Sequence, residues 1–563
     1  MEAVSIKVKN FLALLIFITP LKAQMIKKEW SEFQGYNGSV QASFLNLVEA
    51  SSASNVDFYK GGIQTAKGNL SWGAWLTSTA NHNRLFAYRD TSGNEQIIGV
   101  IGSTQQLMVS TGAGTASHLT YGTGKGTATF TAGSTAITID GTDAGVVTNM
   151  ANGDFIKVAT QSDSSYTAIS TTNSATSITL TGNYAGTGCI DCNFVVRKIM
   201  ALTVGSQYIA MAQENGQVVM SDGGTATEIP MVWDGTNLFY NSSIPNSRAF
   251  TVHKKRMFSC GSISNPNNIS WSPVDNPNGT WDTTATETIG ANDGSGEIVA
   301  CMEYGDTLIV FKRYGRIYVV YGDFNTAVGT VDSVSEIPAS INIGEIPPQG
   351  VAIHKGIIYV LSTTGLYIFN GKTLVKATKN FDDLINLVVE KIHHDANLGP
   401  TGTQEVFMSS IDNYLLINLD NVVAVIDPDN KMTVWDGMKQ DFYGNFIKVG
   451  TNTFVGYHSS ARQTLGKLGA EFYTTGTGTG TVNFWYVSNN EFFDLPELDK
   501  EFRDFKIFYR VMAGTNTSNR LWFDYSIDEG MPTYTTSTIP SIFYSTVTLY
   551  STGTVVGALK VDN

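Results

Sequence analysis

From Leu85 to Tyr457 the chain repeats one phrase: a short run of β-branched and aromatic residues, a polar turn carrying Gly, Asn or Asp, and a second such run. Short runs of this composition between turn residues are the signature of strands. Seven instances stand out. They are Arg84-Leu-Phe-Ala-Tyr-Arg89 leading to Gln96-Ile-Ile-Gly-Val-Ile101, Gln207-Tyr-Ile-Ala-Met-Ala212 leading to Val218 and Val232-Trp-Asp-Gly235, and Lys255-Arg-Met-Phe-Ser-Cys260 leading to Ile269-Ser-Trp-Ser272. Then come Thr307–Lys312 with Arg316–Tyr321, Gly356–Leu361 with Gly365–Asn370, Asn413–Asn418 with Val422–Ile426, and Thr453–Tyr457. From Tyr208 to Tyr457 successive phrases lie about 40 to 60 residues apart, the spacing of four-stranded propeller blades. The pattern predicts a β-propeller; stacked β-sandwiches would use the same hairpins.

A second rhythm interrupts the first. Between Leu119 and Lys198 six short alternating strands, including Gly126–Thr131, Gly153–Val158 and Asn193–Arg197, are separated by Gly and Asn turns. They predict a compact β-barrel or sandwich. Helix signals are rare: Asp382–Ile392 places apolar residues at 384, 385, 388, 389 and 392 on one face and predicts one helix. After the Gly-Thr tract at 474–481, read as a linker, the strands at 482–487, 505–511, 521–526 and 543–549 suggest a C-terminal β-sandwich. The expected class is therefore all-β. Its divisions are a leader (1–24), an N-terminal arm with the first propeller strands (25–118), an inserted β module (119–199), the main propeller (200–470) and a C-terminal sandwich (471–563).

Composition narrows the function. Hydrophobic residues make up 42% of the 563, charged ones only 15%, and there are 55 glycines, a balance that excludes a disordered chain. The net charge of −13 disfavours non-specific attraction of the whole molecule to phosphates or anionic membrane. Lys7 and Lys9 precede an apolar run, Phe11–Ile18, with Pro20 and Ala23 beyond, which reads either as a short signal peptide or as an extension upstream of a start at Met25. No segment offers the roughly 18 continuous apolar residues of a membrane helix.

No catalytic, cofactor-binding or metal-binding residue is assigned. Among the histidines, His393-His394-Asp395 comes nearest to a ligand cluster, but adjacent helical positions point apart. Cys189-Ile-Asp-Cys192 is a lone CxxC in a turn, without the partner motif of a zinc site or the strand-to-helix setting of a redox site. Gly122-Thr-Gly-Lys-Gly126 lacks the Ser or Thr that a phosphate loop places after its Lys, and no Gly-x-Ser-x-Gly elbow occurs. Ser526–Tyr534 looks like a single Asp-box turn of the kind repeated in sialidase propellers, where it is structural. The expectation is a non-enzymatic protein without cofactors.

The stretch Val252-His-Lys-Lys-Arg-Met-Phe-Ser-Cys-Gly261, then Asn265–Pro277 with its Ile-Ser-Trp-Ser-Pro turn and Trp281, then Gly305–Lys312 and Arg316–Val319, resembles the propeller of bacteriophage tail nozzle proteins, also called tail tubular protein B or stabilisation proteins. Phe33-Gln-Gly35, Asn55-Val-Asp57 and Gly61-Gly62 are similar to the opening of that family, although its members lack a signal-like leader. The resemblance covers most of residues 25 to 550. It implies a structural virion subunit assembled in the host cytoplasm: a homohexameric ring at the end of a short tail, touching adaptor and fibre proteins. Double-stranded DNA would pass through it without sequence-specific binding, and no membrane is involved. A low-charge, acidic chain suits a channel through which DNA slides. The alternative is a secreted or surface propeller that binds glycans or proteins; a secreted glycosidase would further require a concave acidic pocket.

Overall fold

The computed structural model describes side chains within 84–100, 107–110, 116–140, 146–198, 209–221, 229–262, 264–338, 343–393, 406–419, 422–435 and 445–455, together with further strands as backbone only. Almost every described element is a strand, and the all-β propeller with an inserted small module expected from the sequence is what forms.

Six sheets are four-stranded, and a seventh meander of four continues into three further strands. Blade 1 runs from His82–Arg89 to Ala116–His118, blade 2 from Ala210–Glu214 to Leu238–Tyr240, and blade 3 from Ser247–His253 to Thr286–Thr288. Blade 4 runs from Ile298–Tyr304 to Thr330–Glu336, blade 5 from Val351–His354 to Leu374–Thr378, and blade 6 from Val406–Ile411 to Met432–Trp435. Blade 7 combines Phe442–Val449, Asn452–Tyr457 and Leu465–Gly469 with Gly68–Trp72. Each of the seven phrases falls in a different sheet.

The runs are nearly continuous in apolar residues because both faces of each sheet are covered. Side chains alternate along a strand, so Leu308 and Val310 of blade 4 meet Phe258 and Trp271 of blade 3, while Ile309 and Phe311 meet Ile358 and Val360 of blade 5. The same contact recurs all the way round. Tyr88 and Ile98 pack on Met211 and Met220, Val219 and Val232 on Phe250 and Met257, Tyr359 and Leu361 on Met408 and Leu415, and Leu416 and Val425 on Phe446 and Val455. Ile447 and Phe454 of blade 7 then return to Leu85 and Ile97 of blade 1, closing the ring.

Closure is also made by hydrogen bonds. Gly68–Trp72 pairs antiparallel with Leu465–Gly469, Asn69 lying opposite Leu468, so an early strand completes the last blade. Blade 6 is extended at its outer edge by Gly35–Tyr36, Glu49–Ser54 and Trp485–Ser488.

The module between blades 1 and 2 is a closed six-stranded barrel. Cys189–Arg197 pairs with both Thr127–Phe130 and Phe155–Val158, and Ala136–Ile139, Ser177–Leu180 and Thr167–Ser174 complete the circuit. Its core holds Phe130, Ile156, Ile169, Ile178, Phe194 and Val196. Entry and exit are neighbours, Thr120 opposite Arg197. The barrel is rooted on blade 2: Asn237 Oδ1 accepts from Gly122 N (3.0 Å), Tyr121 meets Phe239 edge-on (5.6 Å), and Tyr240 Oη donates to Asp154 Oδ1 (3.0 Å). Lys198 is buried at this junction, 3.9 Å from Asp154 and 3.5 Å above the Tyr240 ring, and also donates to Asn149 O.

The expected helix at Asp382–Ile392 is two helices, α1 (Asp382–Leu387) and α2 (Val389–Ala396), broken at Val388. Consecutive β-branched residues, Val388 and Val389, weaken helix propagation at that point. Ile385 and Ile392 are buried against blades 5 and 6 as the stripe requires, while Leu387 is exposed. A separate C-terminal unit pairs Asp504–Val511 with Val555–Asp562 and Asn519–Leu521 with Val547–Leu549, and is likewise β. The Gly-Thr tract at 474–481 and the Asp-box turn at 526–534 lie outside the described residues.

Candidate functional site

The connections between blades, together with the turns joining second to third strands, gather on one face of the ring. Over blades 3 to 5 they border two open cavities of about 860 and 470 Å³, both lined by Gly294. Both are bordered by the Gly-rich connection 289–297, in which Gly290, Gly294 and Gly296 all have positive φ. Such backbone is accessible to glycine at little cost. A Cβ at Gly296 would stand 3.1 Å from the Tyr314 ring, whereas one at Gly294 would meet nothing within 4 Å. Backbone bonds fasten this connection to the next turn: Arg313 N donates to Glu297 O and Tyr314 N to Ser295 O, each at 2.9 Å.

Charges of alternating sign cross the groove. Arg248 Nη1 lies 2.7 Å from Glu297, Arg313 bridges Glu297 (3.6 Å) and Glu345 (3.7 Å), and His393 of α2 hydrogen-bonds to Glu345. Arg316 pairs with Glu336 at 3.0 Å. Beneath them Lys312, almost fully buried, donates to Gly290 O (2.6 Å) and Asp293 Oδ1 (3.3 Å). Burial pushes the Asp293 carboxyl up, but hydrogen bonds from Ser295 and Tyr318 and the Lys312 charge outweigh it and hold the group at about 2. Burial moves Lys312 in the opposite sense, downwards, with Asp293 resisting. Tyr314 stands at the rim, 44% exposed, with the Arg313 guanidinium 4.7 Å from its ring.

Among the described residues the histidines single out no common centre. His253 contacts Glu303 (3.1 Å) and His354 contacts Ser410 (3.0 Å), each buried between blades with Nε2 unpartnered; His118 meets Arg197 (3.2 Å) at the barrel root. Burial and the adjacent Arg197 charge lower His118 to about 4, so it is neutral there at pH 7. No group of three or more His, Cys, Asp or Glu side chains able to hold a metal ion occurs among the described residues. Gly122–Gly126 is a turn at the barrel root. Cys189 and Cys192 are joined to each other, and Cys260 to Cys301, a pairing that brings together neighbouring blades and that spacing along the chain does not signal.

The groove itself is absent from the sequence reading. Its lining comes from five connections between positions 294 and 393, and only the cluster of glycines at 290, 294 and 296 hinted at a special turn.

No family model matches the chain, and no curated protein matches it in sequence. Among solved structures, the chain is similar to the computationally designed Ika8 protein at 9% identity and TM-score 0.33, over 71% of this chain and 99% of that one. It is also similar to a protein of unknown function from Bacteroides thetaiotaomicron (9%, TM-score 0.29, 59% and 94% covered) and to PorZ, a surface component of the type-IX secretion system of Porphyromonas gingivalis (9%, TM-score 0.27, 68% and 42% covered).

Proposed function

We propose that the chain is a non-enzymatic, ring-forming structural subunit of a bacteriophage tail, located in the virion and assembled in the host cytoplasm. One observation carries this reading: the residues that resemble the tail nozzle family lock into a single unit across blades 3 and 4. Arg256, 1% exposed, donates through Nε to Phe324 O (2.5 Å), through Nη1 to Ser272 O (2.7 Å), and through Nη2 to Thr326 O and Ala327 O. Trp271 Nε1 donates to Val328 O at 2.6 Å, and Phe258, Trp271 and Phe324 pack as a cluster with centroids 4.9 to 5.7 Å apart. The basic-aromatic phrase, the Trp-Ser turn and the apolar strand that follows are therefore parts of one architectural joint. In the nozzle reading six copies surround passing double-stranded DNA and contact adaptor and fibre proteins. Heterologous faces whose rotation closes generate such rings. Electron microscopy of virions and mass measurement of concentrated protein test it: a six-membered ring present in particles is expected, and a strictly monomeric protein absent from them, or one that cleaves glycans, overturns it.

A second reading, an exported or surface propeller that binds glycans or proteins, is favoured by the cysteines. All four are paired, and disulfides persist mainly in oxidising compartments. Alkylation of thiols under denaturing conditions at the moment of lysis discriminates, because Cys260 and Cys301 are buried in the folded chain: blocked cysteines on exported protein support this reading, and free thiols on cytoplasmic protein remove its basis.

A further inference from the structure

We propose that the groove over blades 3 to 5 is a binding site for neutral saccharides. The inference holds for a virion subunit and for an exported propeller alike. Loops held by a rigid β scaffold are where binding sites concentrate, and a cavity of about 860 Å³ is large enough for a ligand of two or three rings.

The lining selects the chemistry. Arg316, Glu345, Glu390 and His393 line the cavity together, so basic and acidic side chains are interspersed there. The guanidinium of Arg316 is already held by Glu336, and Glu345 is engaged by Arg313 and His393, which leaves little net attraction for an anion or a cation. What these planar groups, with Ser295 and Thr363, do offer is a mixed set of donors and acceptors at fixed positions. Such a set suits hydroxyl groups, each of which donates and accepts. Tyr314 supplies the complementary apolar element: an exposed ring on which the C–H face of a pyranose can lie. Asn267 lines the smaller cavity and adds a side-chain amide to its polar wall. Ion pairs and backbone bonds hold the wall in place beforehand, which lowers the ordering cost of binding.

The test uses the purified full chain on an array of neutral and charged oligosaccharides, followed by calorimetric titration of the binders. Saturable binding of a neutral saccharide is expected, at least about tenfold tighter than its uronic acid or amino-sugar counterpart. Tyr314→Ala removes the platform and is expected to weaken binding by about tenfold or more, the loss typical of truncating a central aromatic anchor. Gly294→Asn is the second variant: Asn tolerates positive φ, a Cβ at this position meets nothing within 4 Å, and the side chain adds bulk at a residue that lines both cavities. It is expected to abolish binding while the circular dichroism spectrum stays unchanged. Tyr321→Ala, at an equally exposed tyrosine elsewhere on blade 4, is expected to bind as the parent does. Absence of saturable binding to any neutral saccharide, preference for charged sugars, or binding that survives Gly294→Asn overturns the proposal.

Discussion

Cys260 in the second strand of blade 3 and Cys301 in the first strand of blade 4 form a disulfide across the blade interface, with their Cα atoms 6.3 Å apart and a sequence separation of 41. Both are buried, so the bond sits inside the joint that Phe258, Trp271 and Leu308 fill with apolar surface.

Removing that bond as the Cys260→Ala, Cys301→Ala pair is expected to cost about 2–4 kcal/mol, the range for a closed loop of this size. The Cys189–Cys192 bond, at a sequence separation of 3, closes a very short loop on the barrel and constrains far less of the unfolded chain. Its removal is expected to cost at most about 1–2 kcal/mol by the same reasoning. Thermal melts of both double variants, with and without reductant, check the order; a larger effect at 189–192 contradicts it.

Arg256→Met is expected to destabilise by about 3–5 kcal/mol, because it strands the carbonyls of Ser272, Phe324, Thr326 and Ala327 inside the protein. Arg256→Lys keeps the charge but cannot fork to carbonyls in different directions, so it is expected to recover less than half of the loss. Denaturant titrations of the two variants measure the split.

Lys198 gives a pH dependence of definite sign. Burial lowers its amine to about 7, with Asp154 opposing, against about 10.5 in the unfolded chain. Between these values the unfolded state binds the extra proton, so the contribution of this group to stability rises as pH increases from about 7 to 10 and is flat below 7. The groups facing it are Asp154, Tyr121 and Tyr240. Lys198→Met is expected to flatten that rise and to be neutral or stabilising at pH 7; equal slopes for parent and variant would contradict the assignment.

Lys254 and Lys255 turn the hairpin of blade 3 with φ of 45° and 60°, left-handed backbone at both central positions, as a type I′ turn requires. Lys254 is tied to Gly322 O and Asp306, whereas Lys255 is exposed and contacts only Asp275, at 3.6 Å. Lys255→Gly is therefore expected to stabilise by about 0.5–1 kcal/mol through relief of the strained φ. A melting temperature below that of the parent would refute this.

The propeller is legible because each sheet buries both faces, which forces runs such as Thr307-Leu-Ile-Val-Phe-Lys312 that no solvated strand would carry. The barrel is legible for the opposite reason: its strands bury one face, and Thr127–Phe130 and Ser177–Leu180 alternate accordingly. The break at Val388 is hidden, since an apolar stripe at helical spacing is compatible with one helix or with two in line. The groove is hidden because its residues are brought together only when blades 3, 4 and 5 stand side by side. Nothing local to Cys260 indicates Cys301, and nothing local to Gly68–Trp72 indicates that its partner is Leu465–Gly469. In both cases the pairing is a property of the ring.

That last pairing sets a timetable for synthesis. Gly68–Trp72 leaves the ribosome about 400 residues ahead of the strand it must join, which at about 5–20 residues per second is a wait of roughly 20 to 80 seconds. For that time the nascent chain carries a strand without a partner while six blades form behind it, and an unpaired edge invites the wrong neighbour. The waiting segment is Gly-Asn-Leu-Ser-Trp, which opens on two poor strand formers. A segment of this composition offers a poor template to a wrong neighbour until blade 7 supplies its ladder.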